Sequence, residues 1–496
     1  MAEREQQKMR NFDLVIRNGL LISGDGSDPR RADVAVKDGL VAAVGGEIPS
    51  GKEEIDASEL IVVPGGIEAH CHIEQSSSVG LMGADDFYTG SVSAAFGGNT
   101  TIIPFAAQHR GQKLPRVLED YHRRAAEKSV LDYSFHLIIS DPTEELLVGH
   151  LPAAIKSGFP SVKLFTAYDL IAVTDEQFLS VASVCREHGA IVMVHAENNA
   201  MIKWTTKQLL DRGHIEPKYH AVSHPVLAEV EAVNRVLMLA RLVDASLVIV
   251  HVTCEEALAA IERAKAGGLD VTAETCPQYL LFTKESGDLP GYEGAKLIFS
   301  PPPRSAKDQE VLWRALKNGQ IGLYHSDHAP YRMDKSGKFA RSTTPTFKEI
   351  ASGIPGIELR LPLLFSEGVS KGRLKLDDFV EFSSTNAARL YGMFPQKGCI
   401  AVGSDADIAI WDPSLVKTVT KELLHDNVGY SPYEGRRLTG WPVIVIRRGQ
   451  VIVRDGELRA LRGEGRIISR QAHEKTATAR RAADIDPANC FGAELL

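Results

Sequence analysis

Residues 60–75 read LIVVPGGIEAHCHIEQ, an apolar run that passes a Gly pair and ends on His70 and His72. Side chains alternate along an extended strand, so these two imidazoles face one way and Cys71 faces the other. Two imidazoles side by side at the end of an apolar strand need something to hold them, and a metal ion is the simplest candidate. The rest of the chain decides whether they stand alone.

Downstream, short apolar β runs recur at 100–106, 133–139, 161–165, 191–196, 246–252, 270–276 and 322–329. Helical patterns lie between most of them. One opens at Thr174 with Gln177 three residues on, a capping box, and stops at Gly189. Others are PVLAEVEAVNRVLMLARLVD (225–244) and CEEALAAIERAKAGG (254–268), the latter ending on a Gly pair. With LIVVPG this makes eight β runs over roughly 270 residues, the size of a (β/α)8 barrel. An open doubly wound sheet is the rival arrangement.

The two ends have a different texture. Short strands with tight turns fill the first sixty residues, where Asn18-Gly19 and Asp38-Gly39 read as hairpins because these residues tolerate positive φ. The same texture returns in GCIAVGSDADIAIWDP (398–413) and VIVIRRGQVIVRDGEL (443–458). The expected fold class is therefore α/β. A TIM-like barrel spans 63–396, and a small β-sandwich is built from residues 1–62 and 397–470. The segment 471–496, rich in Ala and charge, is either a solvated tail or an arm on a neighbouring subunit.

Composition narrows the function classes. The 496 residues carry 56 basic and 64 acidic side chains, a net charge of −8, which disfavours nucleic acid and anionic membranes as partners. No apolar stretch reaches the roughly 18 residues of a membrane span, and MAEREQQKMR (1–10) has no signal core. Six scattered cysteines without zinc-finger spacing fit a reduced, cytoplasmic protein.

Other β runs also end on polar groups: Lys163 interrupts SVKLF, His195 closes IVMVHAEN, His251 closes SLVIVHVT, and Asp327 sits in LYHSDHAP. In a barrel, all C-terminal strand ends open on one face, so these side chains converge with His70 and His72. Imidazoles and a carboxylate suit zinc or a similar divalent ion. A solitary strand-end histidine is ordinarily a hydrogen-bonded or exposed residue, so His109, His136, His325 and His328 stay unassigned. Lys163 has two readings. Its head either escapes to solvent, or burial keeps the amine neutral and CO2 converts it to a carbamate whose two oxygens bridge two cations.

In order along residues 12–460, the stretches GGIEAHCHIE, ADDFYTGSVSAAFGGNTT, SVKLFTAY, VHAEN, HVTCEEAL, CPQYL, SPPPR, SDHAP, GIPGIE and SSTNAARLYG resemble the dihydropyrimidinase/hydantoinase branch of the amidohydrolase superfamily. The resemblance implies metal-dependent hydrolysis of a cyclic amide bond in a ureide or imide ring, by a hydroxide held between two divalent cations, zinc foremost. His70 and His72 then match ligands of one metal, His195 and His251 ligands of the other, Lys163 the carboxylated bridge, and Asp327 a ligand that shuttles the proton. Tyr168 matches a tyrosine facing the scissile carbonyl, and Ser300 and Ser352 match positions whose backbone grips the ring. A homotetramer is also implied.

The chain departs from the family at Glu68, where Asp is usual, at Ser352, where Asn is usual, and in the loops 73–83 and 105–111. An allantoinase- or dihydroorotase-like enzyme is the nearest alternative. Dihydroorotases of this kind carry an Arg just after the histidine pair, where this chain has Ile73, Glu74 and Gln75. A non-catalytic scaffold relative would have lost ligands, and all six stand here.

Overall fold

The computed structural model describes residues 12–475 and 481–494. The N-terminal stretch read for a signal core lies outside these residues. Both ends of the chain meet in one nine-stranded sheet. Its N-terminal strands are β1 (Phe12–Leu21), β2 (Arg30–Lys37), β3 (Leu40–Val44), β4 (Gly51–Asp56) and β5 (Ile61–Pro64). The second sheet, mainly parallel, follows with β6 (Gly66–Cys71), β7 (Asn99–Ala107), β8 (Asp132–Tyr133), β9 (His136–Ile138), β10 (Ser161–Phe165), β11 (Ile191–His195), β12 (Leu247–Ile249), β13 (Val271–Thr275) and β14 (Ile321–Tyr324). The chain then returns to the first sheet with β15 (Ile408–Thr418), β16 (Arg437–Arg447), β17 (Gln450–Arg454) and β18 (Glu457–Leu458).

Eight strands of the second sheet run in the order β14-β13-β12-β11-β10-β9-β7-β6, and β8 pairs with β7. A parallel bridge from Cys71 to His328, with the His72 N–H donating to the His328 carbonyl, brings the last strand's end against the first. That closure excludes the open doubly wound sheet. The strands are buried along their whole length, as parallel strands covered by helices must be. The helices Asp175–Glu187, Val226–Leu242 and Glu255–Ala266 lie where the sequence expects them, and Thr174 makes both bonds of its capping box with Gln177.

The run LIVV is not the first barrel strand. Ile61–Pro64 pairs with β15 and β1 in the end sheet, and the barrel starts at Gly66. Gly65 and Gly66 carry the chain between the sheets in tight quarters. A Cβ at Gly65 would come 2.3 Å from Thr100 Oγ1, and one at Gly66 2.7 Å from Asn99 Oδ1. Side chains at the crossing are sterically barred.

The end sheet takes a continuous path, β18-β17-β16-β15-β5-β1-β2-β3. Leu14, Val34 and Val62 from one end share a core with Ile408 and Ile444 from the other. Asp38-Gly39 forms the expected hairpin, with φ of 51° and 82°. Asn18-Gly19 does not. Asn18 has φ 64° inside β1, where a register shift lets that strand pair with β4 over 12–17 and with β5 over 20–21. The dipeptide is a bulge because β1 has two partners to serve.

The segment after Gly465 docks on its own barrel. Ile468 and Arg470 donate backbone N–H groups to Tyr133 and Gly158, and His473 to Gly189, beside the N-terminal ends of the strands. Residues 471–475 are largely exposed yet tied to the barrel, Gln471 to Gly392 and His473 to Gly189. Residues 476–480 and the last two of the tail lie outside the described residues.

Candidate active site

All nine side chains singled out in the sequence line one cavity of about 720 Å³ at the C-terminal ends of the barrel strands. His70 is in β6 and His72 just past it; Lys163 is central in β10 and His195 ends β11. His251 and Asp327 lie beyond β12 and β14, and both adopt left-handed backbone, at φ 42° and 49°. Tyr168 does the same at φ 70°. Non-glycine residues held in this region cost free energy and cluster at functional sites.

Asp327 Oδ1 lies 3.1 Å from His70 Nε2 and 3.3 Å from His72 Nε2, and these three form a compact metal-ligating group. Across the cavity, His195 Nδ1 is 2.9 Å from His251 Nε2. The Lys163 amine stands between, 3.5 Å from His70 Nε2, with the rings of Phe105 and Phe165 within 5.4 Å.

The outward nitrogens of three imidazoles are committed to other side chains. His70 Nδ1 meets Glu274 Oε1 at 2.5 Å, His72 Nδ1 meets Gln75 Oε1 at 2.8 Å, and His195 Nε2 meets Glu197 Oε2 at 2.9 Å. Each partner turns the remaining nitrogen inward, the support that metal-binding histidines require. Glu274 also accepts His325, and Glu197 accepts His224.

Burying these groups together is electrostatically costly. Burial opposes charge on His70, yet Glu274 and Asp327 lift it to about 9. Burial lowers Lys163 to about 8, although Asp327 and Glu274 pull the other way. Lys163 is 1% exposed and forms no salt bridge among the described residues. A buried amine among imidazoles is a poor structural cation, and divalent ions bridged by a carboxylated lysine would reverse its sign. The donor set fits such ions: four imidazoles with inward nitrogens, one carboxylate and one modifiable amine.

Opposite these groups, Ser300 Oγ lies 3.2 Å from Ser352 Oγ, and the Tyr168 hydroxyl is in hydrogen-bonding reach of Ser300. The neighbouring carbonyls are all spent. Ile298 accepts from Gly353 N–H and Lys338, Phe299 from His220, Pro301 from the Tyr279 hydroxyl, and Ala351 and Gly353 from Lys338. The N–H and C=O of Ser300 and Ser352 have no partner among the described residues. Two paired donor–acceptor edges therefore face the cavity.

An amidohydrolase family model matches residues 61–452. The chain belongs to that family. Over 459 residues this amidohydrolase is 42% identical to the D-hydantoinase of Geobacillus stearothermophilus, covering 92% of this chain and 96% of the relative. It is 40% identical to the D-hydantoinase of Rhizobium radiobacter, over 94% and 100% of the two chains. The solved dihydropyrimidinase of Brevibacillus agri superposes with a TM-score of 0.90 at 40% identity, covering 93% and 99%.

One departure from the family pattern, Glu68, has a clear structural role. Glu68, fully buried, accepts the His70 and Ser326 N–H groups and pairs with Arg360 at 3.1 Å, so the longer acid ties β6 to the segment after β14. His70 keeps its place in the cavity. Three of the four unassigned histidines have other uses: His136 bonds Ser161 and the Ala69 carbonyl, His325 bonds Glu274, and His328 bonds Asp85. Sequence reasoning missed Glu274, Glu197 and Lys338. Glu274 carried a signal, an acid inside the apolar run DVTAETC.

Proposed function

We propose that this amidohydrolase opens the amide bond of a cyclic ureide or imide ring. His70, His72, Lys163, His195, His251 and Asp327 would hold two divalent metal ions, zinc foremost, with Lys163 carboxylated by CO2. One observation carries the reading: six metal-suited side chains and two unspent backbone edges share a single cavity. When bound, such a metal pair supplies hydroxide at neutral pH and polarises a carbonyl.

The chain's own residues do the rest. The backbone groups of Ser300 and Ser352 orient a planar ring that presents carbonyls and an N–H along one edge. Burial keeps the Tyr168 phenol far above its ordinary pKa, helped by the Glu197 carboxylate, so its hydroxyl stays a donor for the oxygen where charge develops. Asp327 remains ionised despite burial, because His70 and His72 hold it well below the usual carboxylate range. It is placed to accept a proton and return it to the departing ring nitrogen. Glu74 and Gln75, where a dihydroorotase-like enzyme would hold a substrate carboxylate, are engaged by Lys128 and His72. This favours uncharged rings over dihydroorotate.

The test is a panel of dihydrouracil, 5-substituted hydantoins, succinimide, phthalimide, allantoin and dihydroorotate, run beside metal analysis. Opening of uncharged rings with close to two ions per chain is expected. A preference for dihydroorotate would overturn the assignment. Lys163→Ala should lose activity and the metal pair together, with partial rescue by small carboxylates; undiminished turnover refutes the carboxylated bridge. We further infer a cytoplasmic homotetramer. The free cysteines fit a reducing compartment, and sedimentation tests the assembly.

A further inference from the structure

Lys338 lies outside the metal-suited cluster, yet it is 0% exposed and forms no salt bridge among the described residues. Its Nζ donates to three carbonyls, those of Ile298 at 3.0 Å, Ala351 at 3.0 Å and Gly353 at 2.8 Å. Burial pulls the Lys338 amine down to about 7, but its three carbonyl acceptors match the three donors of the protonated form, one more than the neutral amine has. The three acceptors come from two loops that are adjacent only in space, the one leading to Ser300 and the one carrying Ser352. A small apolar cluster of Ala295, Ile298, Phe347 and Ile350, with Met333 and Phe339 against it, packs around this point.

The geometry has a directional consequence. In a trans peptide the C=O and the following N–H point in opposite directions. With the Ala351 carbonyl turned to Lys338, the Ser352 N–H points away from the ammonium. With the Gly353 N–H donated to Ile298, the Ser352 carbonyl is likewise turned out. On the other loop, the Phe299 carbonyl is taken by His220 Nε2 at 2.8 Å, which turns out the Ser300 N–H. Gly353 allows the close approach, since a Cβ there would lie 2.4 Å from the Ala329 carbonyl oxygen.

We infer that Lys338 is a positioning residue for substrate recognition: its ammonium ties the Ser300 and Ser352 loops into one unit and aims the Ser352 backbone at the ring. The inference rests on the ring-opening reading for its substrate, but the clamp itself is a property of the loops. Lys338 touches no reacting atom. It acts on ring binding and leaves the metal-suited cluster alone.

The test is steady-state kinetics of Lys338→Met and Lys338→Gln on whichever uncharged ring the wild-type enzyme opens, with metal content measured alongside. The expected result for Met is a KM raised roughly tenfold or more with kcat held within about threefold, since uniform binding is lost and transition-state contacts are kept. Gln retains two donors and should fall between Met and wild type. Unchanged KM in a folded, metal-replete variant overturns the inference, as does a loss confined to kcat. Hydrogen exchange on the unmodified protein decides the clamp even where a variant fails to fold. The bonded amides of Ile298 on one loop and of Ala351 and Gly353 on the other should open together at one rate. Independent opening of either loop would remove the clamp. A wild-type enzyme that opens no ring on the panel would instead defeat the ring-opening reading, leaving the exchange result to judge the clamp alone.

Discussion

Glu274 reaches the proposed metal centre through the His70 ring and the His251 backbone N–H. Burial works against its charge, but His70 and His325 together hold its carboxyl well below the usual range. It is therefore an anion behind an imidazole, which raises the basicity of the inward nitrogen. Glu274→Gln keeps the shape and an acceptor but removes the charge. We expect metal affinity to fall by about 10- to 100-fold, measured by competition with a chelator, while the folded structure persists. Affinity equal to wild type would mean that the carboxylate only orients the ring. Residues of this kind were the hardest to read in advance. His70, His72, Lys163, His195, His251 and Asp327 announce themselves as polar groups in apolar strands. The value of Glu274 depends on a partner 204 positions away, a pairing that only the closed barrel creates. Lys338 is more hidden still, because its partners are backbone carbonyls and carry no residue type at all.

Among the elements, the passage from β5 to β6 is the tightest. Gly65→Ala would push a methyl into Thr100, at the point where the chain leaves one sheet for the other. Overpacking of this kind costs about 1–3 kcal/mol, and a matching drop in the urea midpoint is expected with no change in metal stoichiometry. Unchanged stability would show that Thr100 can move aside. The same junction explains why LIVV misled. Its apolar run suits a buried strand in either sheet, and local pattern cannot say which sheet receives it. Asn18-Gly19 and Asp38-Gly39 make the point again. Both tolerate positive φ, but one turns the chain and the other bends it, because Val62 crosses beneath Gly19. Helix boundaries were legible for the opposite reason: the Thr174 capping box is complete within four residues.

At the scale of the molecule, stability should depend on pH through histidines kept neutral inside. Burial above all, with Arg470's charge adding, holds His136 well below its ordinary value. Burial and then His224 push His220 down to about 3. In the unfolded chain both titrate near 6.5. The unfolded state therefore takes up protons below pH 6.5 while these native rings do not. Their contribution is intact above 6.5 and lost as pH falls toward 3, at ~1.4 kcal/mol per pH unit for each ring. The urea midpoint should be lower at pH 5 than at pH 7, and His220→Gln should flatten that slope by one proton. A midpoint indifferent to pH in this window would mean that the rings are protonated in the native state.

The pairing of β5 with β15 also dictates an order of events during synthesis. Until the ribosome has delivered Ile408, the strand Ile61–Pro64 lacks its neighbour on that side, leaving a bare apolar border through the making of the entire barrel. The nascent polypeptide must therefore be shielded, by a chaperone or by its own early helices, until the late strand arrives. A stop codon before that residue would leave a sticky fragment rather than a smaller enzyme.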